Sequence, residues 1–294
     1  MGFAFWALSQ ILRRSTYQII RLCLQAIVSI TGSQHSLVSA VDSKPMGVKD
    51  LILIACRKFG FYPQKLIGSK AFDSLIEKLQ PIDNGFELIR IGPSGDGGYL
   101  VPDDLKSIDI CFSAGVAENW GFEKDLYEKA GITSCMFDAS VNRPKDLPEV
   151  HTFVKKYVGS LSNNDYLSVS DVFSLYLSKY NEILAQIDIE GSEYELFNSI
   201  SDRDLLKFRI IVCEFHELDR WIQENFYREK IMKIIDRLLT DFDLIHYHPN
   251  SGGGHFLYKG MRLPKTLELT FHRKNVSKGN YGYRLKPHKL DMDN

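Results

Sequence analysis

The chain has 294 residues, of which 44% are hydrophobic and 25% charged, with a formal net charge of -1. That length accommodates one substantial α/β domain with an extension, and a charge so close to zero argues against a nucleic-acid partner held by a general basic field. The five cysteines, Cys23, Cys56, Cys111, Cys135 and Cys213, form no CxxC pair, so no zinc cluster is expected; the Asp188 and Glu190 carboxylates could hold a hard cation, but the sequence does not require one. Their odd number and loose spacing suit a reducing compartment, and a cytoplasmic enzyme is the simplest expectation.

Residues 1–41 contain no Asp or Glu, while Arg13, Arg14 and Arg21 supply positive charge and Phe5, Leu8, Ile11, Leu12, Ile19 and Leu22 recur at helical spacing. Three readings stay open: an amphipathic packing helix, a helix lying on a membrane surface, or an import presequence. The arginines interrupt the first apolar stretch and Gln25, Ser29, Thr31, Ser33, Gln34 and His35 dilute the next, which argues against a spanning helix, so any membrane contact is expected to be peripheral. Residues 42–85 read as a linker and helical lead-in, with helices over 48–59 and 70–79.

From Phe86 the chain alternates apolar strand-like runs with helical stretches, the pattern of a mostly parallel sheet covered on both faces. Strands are predicted over 108–116, 132–139, 152–158, 183–189, 208–215, 243–248 and 266–272. Helices are predicted over 122–130, 170–179, 193–199 and 224–239. Seven strands, the last two joined without a helix, fit a doubly wound, Rossmann-like sheet whose final strand returns antiparallel, the class I methyltransferase arrangement. Residues 274–294 read as a polar, basic tail, disordered for much of its length.

In such a sheet the ligand lies beyond the carboxyl ends of the strands, where strand order reverses. After the first strand, Ser113, Gly115 and Glu118 lie in a turn that would let a ligand approach the backbone. The turn lacks GxGxxG, which removes the fingerprint of a nicotinamide cofactor. The second strand ends at Asp138, placed to accept both ribose hydroxyls of an adenosyl group, and Asp165 follows the third, within reach of an adenine amino group. The fourth runs into Asp188-Ile189-Glu190-Gly191-Ser192-Glu193. Alternation puts Asp188 and Glu190 on one side at the open end, whereas Glu193 falls in a first helical turn and reads as a cap. His216 and His248 follow the fifth and sixth strands and are the candidate general bases, converging from adjacent strand ends. Ahead of the first strand, Asp96, Gly97, Gly98 and Tyr99 belong to a loop with more glycine than a turn needs, suited to folding over a ligand.

Taken in order, these segments resemble the FkbM-type methyltransferases. The likeness rests on Asp188, Glu190, Gly191 and Glu193, on His246, His248 and Asn250, on Pro264 with Leu267-Glu268-Leu269-Thr270, and on Asp96–Tyr99 with Phe122-Glu123-Lys124-Asp125-Leu126. It covers residues 86–273. One departure is that Ser113 stands where the commoner pattern has an aspartate, with Asn119 and Gly121 displaced along the chain. The resemblance implies S-adenosylmethionine as cofactor and O-methylation of a hydroxyl on a sugar, glycan or natural-product acceptor. It casts His216 or His248 as base and Asp188 and Glu190 as orienting groups. A metal-dependent glycosyltransferase and a non-catalytic glycan-binding scaffold are the rival expectations.

Overall fold

The computed structural model describes residues 63–117, 119–279, 281–284 and 286–292, together with Cys56. The basic N-terminal segment, nearly all of the 48–59 helix and Glu118 lie outside the described residues. The chain divides into Met1–Lys65 and Leu66–Asn294, and the second unit carries everything that follows. Among the described residues no helix is long and apolar enough to cross a membrane.

Helix α1 (Ser69–Lys78) precedes an antiparallel pair, β1 (Leu88–Ile91) and β2 (Tyr99–Pro102). A seven-stranded sheet then forms from β3 (Ile110–Ala114), β4 (Ser134–Phe137), β5 (Thr152–Val154), β8 (Ile183–Ile187), β9 (Phe208–Phe215), β10 (Phe242–Tyr258) and β11 (Met261–Arg273), in the order β10-β11-β9-β8-β3-β4-β5. Only β11 pairs antiparallel with its neighbours, so the other six strands run one way. The protein is therefore α/β with a mostly parallel, Rossmann-like sheet. The chain leaves β3 toward β4 and β5, then returns to lay β8 on the other side of β3, which makes the β3/β8 junction the switch point.

Alternation sorts the side chains between two layers. Ile110, Phe112 and Ala114 of β3 and Ile183, Ala185 and Ile187 of β8 face one core with Leu196 and Phe197 of α4 (Glu193–Ser199). Ile234, Ile235 and Leu238, from the helix over residues 224–241 (α6), join that core, as do Phe173 and Leu177 from a π-helical turn continuing α3 (Val169–Val172). Cys111 and Leu184 face the other core, with Phe122 and Leu126 of α2 (Gly121–Ala130) and Tyr99 and Val101 of β2. Because both faces are covered, all five residues of β3 and of β8 are buried, and each strand is apolar except for one polar residue, Ser113 or Gln186, which bond to each other. The remaining short helix, α5 (Asp202–Leu205), leads into β9.

Several sequence expectations are corrected. The run 152–158 is two strands: the chain turns after β5, and β6 (Tyr157–Gly159) pairs in parallel with β7 (Tyr166–Ser168), which had no apolar signature. The predicted 243–248 and 266–272 strands are the inner halves of a long β10/β11 hairpin, interrupted by a bulge between Asn250 and His255. Its outer half has one exposed and one covered face: Leu257 is 76% exposed, whereas Tyr258 is buried in the core with Phe256 packed against it. The tail is not simply solvated: Tyr283 bridges to Ile82, Arg284 donates to Asp83 and to the Phe86 carbonyl, and Asp291 binds His246.

Candidate functional site

The β3/β8 junction requires glycine at its mouth. Gly115 has φ +82, and a Cβ there would stand 1.6 Å from the Asp188 carbonyl oxygen. The backbone past it is held by Asp138, whose Oδ2 accepts the amides of Val116 (3.0 Å) and Ala117 (2.8 Å). Its Oδ1 accepts the amide and the hydroxyl of Ser140, at 2.7 and 2.6 Å. Burial opposes ionisation of Asp138, but these donors outweigh it and hold the carboxyl below its usual range. Asp138 therefore lies where the sequence places it, with all four acceptor positions used by the protein.

A cleft of about 460 Å³ opens between these ends and the β6/β7 pair, a volume typical of small-molecule sites. Gly115, Ala117, Asp138 and Ser140 line one side, Tyr157 and Tyr166 another, and Asp188 and Glu190 the far rim. The two tyrosine rings stand 5.3 Å apart at 44°, forming an aromatic wall.

At that rim four carboxylates converge on His216. Its Nδ1 lies 2.8 Å from Glu193 Oε1, while its Nε2 faces Glu190 Oε2 at 3.5 Å and Asp188 Oδ1 and Glu214 Oε1 each at 3.6 Å. Glu193 was expected to cap its helix, but its Oε1 instead accepts the Ile189 and Gly191 amides ahead of the helix, locking the turn that delivers Asp188 and Glu190. Tyr99 reaches in from β2, donating to Glu214 Oε2 at 3.2 Å with Asp188 Oδ2 at 3.4 Å, and Asn250 donates to Glu214 Oε1 at 2.9 Å. Burial pushes the Asp188 carboxyl up to about 6, aided by Glu190, Glu193 and Asp96. Burial, Asp188 and Glu268 push Glu214 up to about 8. For His216 burial works the other way, yet the hydrogen bond and charge of Glu193, with Asp188 and Glu214, carry it to about 9. The cluster's field thus strongly favours positive charge at Nε2.

Backbone strain gathers here too. Ala117, Glu190 and Glu217, each with φ between 51 and 55, follow β3, β8 and β9 respectively. Such conformations cost non-glycine residues about 1 kcal/mol or more and persist where surrounding structure over-determines them.

Other predicted residues lie elsewhere. Ser113 is fully buried, bonded to Glu123 and to Gln186 Oε1 (2.9 Å), and does not line the cleft. Burial raises the Glu123 carboxyl, which the Ser113 hydrogen bond opposes. Asp165 is exposed and shaped by Asn163, whose Oδ1 accepts the Asp165 and Tyr166 amides; the segment is a polar turn. His216 and His248 do not come from adjacent strands, because β11 stands between β9 and β10. His248 lies instead near Asp291, Nδ1 to Oδ2 3.6 Å, which removes it from the converging group. The glycines at Gly97 and Gly98 serve their own loop: a Cβ on Gly98 would meet the Pro93 carbonyl oxygen at 2.0 Å, and Arg90 ties down the Pro93 and Gly95 carbonyls. Asp96 is exposed, although its charge reaches Asp188 and Glu214.

Glu214 was not among the predicted site residues, and Tyr99, expected in a loop over a ligand, instead sits against Glu214 and Asp188. Glu214 and Arg209 are the two polar residues of the Phe208–Phe215 strand, and the place of Glu214 at the end of its apolar run was the available signal.

No family model matches the chain, and no curated protein matches it. Among solved structures it is similar to the crystal structure of Thermoplasma acidophilum 1320, at 11% identity over 58% of this chain and 82% of that one, with a TM-score of 0.26. A likeness that slight carries no inference about activity.

Proposed function

We propose that the protein is an S-adenosylmethionine-dependent O-methyltransferase of the FkbM type, acting on a hydroxyl of a sugar-like or natural-product acceptor. The observation that carries the reading is the cleft of about 460 Å³ at the sheet's switch point, lined by Tyr157 and Tyr166 and with the Asp188 and Glu190 carboxylates at its rim. The strand order, with a single antiparallel strand set second from the edge, supports the class I methyltransferase form of the fold.

In this reading Gly115 would admit the cofactor to the backbone, and Tyr157 and Tyr166 would hold its purine. Asp138 holds the turn after Gly115 through the Val116 and Ala117 amides and, with Ser140, would hold the ribose hydroxyls. When bound, the sulfonium supplies an electrophilic methyl that passes in line to the acceptor oxygen as the carbon–sulfur bond breaks and sulfur keeps the electron pair. The chain's contribution is positioning, plus removal of the hydroxyl proton. That proton passes to a carboxylate of the Asp188 and Glu190 pair, which the imidazole of His216 faces, while His248 is assigned no part.

A metal-dependent glycosyltransferase is the second reading, favoured by the same acidic end of β8. Calorimetry with S-adenosylmethionine, UDP-sugars and NAD separates them. Heat is expected from S-adenosylmethionine alone, and Tyr166→Ala is expected to weaken that binding about tenfold, or about 1.4 kcal/mol. Binding of a UDP-sugar only would sink the methyltransferase reading.

A further inference from the structure

We infer that Asp188, Glu214 and His216 form a binding site for one divalent cation of the Mn2+ or Mg2+ class. His216 Nε2 and one oxygen from each carboxylate lie within 4.8 Å of one another. Such cations hold oxygen and imidazole ligands at about 2.1 Å, so two ligands of one ion stand about 3 to 4.2 Å apart depending on the angle between them. The Nε2 separations from Asp188 Oδ1 and Glu214 Oε1, both 3.6 Å, fall inside that interval. They are too long for hydrogen bonds.

The surroundings are those of a ligand set held in place. Glu193 engages His216 Nδ1, which directs Nε2 at the site, the carboxylate–histidine arrangement that fixes metal-binding imidazoles. The Tyr99 hydroxyl lies between the far oxygens, 3.2 Å from Glu214 Oε2 and 3.4 Å from Asp188 Oδ2, and can donate to one of them, while Oε1 and Oδ1 face His216. Glu214 is orientated again by Asn250. Electrostatics point the same way. Glu193 is 0% exposed and its Oε2 has no hydrogen-bond partner, so one imidazole answers several buried or half-buried carboxylates. Ionised groups are retained in such places when paired or when they bind a metal. Two carboxylates and one imidazole favour a hard to borderline ion over a thiophilic one.

The cation's role rests on the methyltransfer reading, whereas its binding does not. At the rim of the cleft it would take the acceptor hydroxyl, or two neighbouring hydroxyls, as further oxygen ligands and lower the pKa of the one that is methylated. Exposed Glu190, outside the ligand set, then carries the proton to solvent. The substrate class is thereby narrowed to acceptors presenting a hydroxyl beside a second oxygen ligand, as a sugar diol does.

The test is Mn2+ titration of the EDTA-stripped full chain, followed by the electron paramagnetic resonance signal of free Mn2+. One equivalent is expected to be taken up saturably, with Asp188→Asn and Glu214→Gln each weakening uptake at least tenfold. Both changes remove charge from a crowded acidic cluster, so thermal melting should show folding preserved; His216→Gln is the third arm. Absence of saturable uptake up to about 1 mM in the intact chain, or uptake unaltered in all three variants, overturns the site. S-adenosylmethionine calorimetry on the same stripped protein is read separately: its failure beside intact Mn2+ uptake sinks methyl transfer and leaves the cation site standing.

Discussion

At the scale of single residues, Gly115 and Asp188 constrain each other. The glycine's missing side chain is what allows the ends of β3 and β8 to close to hydrogen-bonding distance, with the Asp188 amide donating to the Ala114 carbonyl at 2.9 Å. Gly115→Ala combines an unfavourable positive φ with a backbone collision, so a loss of about 3 kcal/mol or more is expected in urea unfolding. S-adenosylmethionine binding should be lost with it. A variant of near wild-type stability would mean the junction relaxes readily, contrary to this account. The same scale shows what a linear chain conceals. Asp188 and Glu190 are readable as a strand-end pair, because alternation and proximity are local. Glu214 and Tyr99 are not, since they meet Asp188 only after β9 and β2 have packed from distant parts of the chain.

Elements differ in how strongly their own residues specify them. The strand Phe208–Phe215 and the helix Glu193–Ser199 have the bounds that periodicity predicts, because apolar run and buried segment coincide there. The helix over 224–241 ends two residues beyond its predicted boundary. β6 and β7 are three residues each, too short for a pattern, and β10 runs on past His248 through a glycine-rich stretch, Gly252–Gly254, that breaks the apolar pattern before Tyr258 returns to the core. Start signals are local chemistry. Ser168 opens α3, accepting the Asp171 amide at 3.1 Å and donating to Asp171 Oδ2 at 2.8 Å. Ser168→Ala is expected to cost about 1 kcal/mol in chemical denaturation, with the unfolding slope unaltered. A neutral result would indicate that Ser162 or Ser170, both bonded nearby, replaces the cap.

For the molecule as a whole, acid sensitivity follows from His272 on β11. Burial depresses it to about 4, against the opposing influence of Asp104, while Arg209 and Arg273 lower it further. Its ring lies between Asn84 and Asp104, each at 2.9 Å, joining the segment before β1 to the sheet and the turn after β2. Between pH 6.5 and 4 the unfolded chain binds this proton and the folded chain does not. Stability therefore falls as pH drops through that window, by roughly 3 kcal/mol at full effect. Unfolding free energies measured from pH 7 to 4 should show a shallower decline in His272→Asn than in the wild type. Equal slopes would assign the acid sensitivity to another group. Fold class was legible from the alternating pattern because a covered parallel sheet imprints itself on composition. The clasp of the tail on β10 was not, because Asp291 and His246 lie 45 positions apart in a stretch without periodicity.

The place of β11 has a consequence for how the protein is made. It is the last of the seven strands along the chain, yet it sits inside the sheet, between β9 and β10. During vectorial synthesis the β3, β4, β5, β8 and β9 framework can assemble while the flank of β9 still lacks its partner. Six ladder positions, from Ile210 to Phe215, then present unpaired backbone from a strand of almost wholly apolar residues. Until the hairpin emerges, that flank is the nascent chain's point of greatest exposure to misassociation, and the interval in which a chaperone has most to protect.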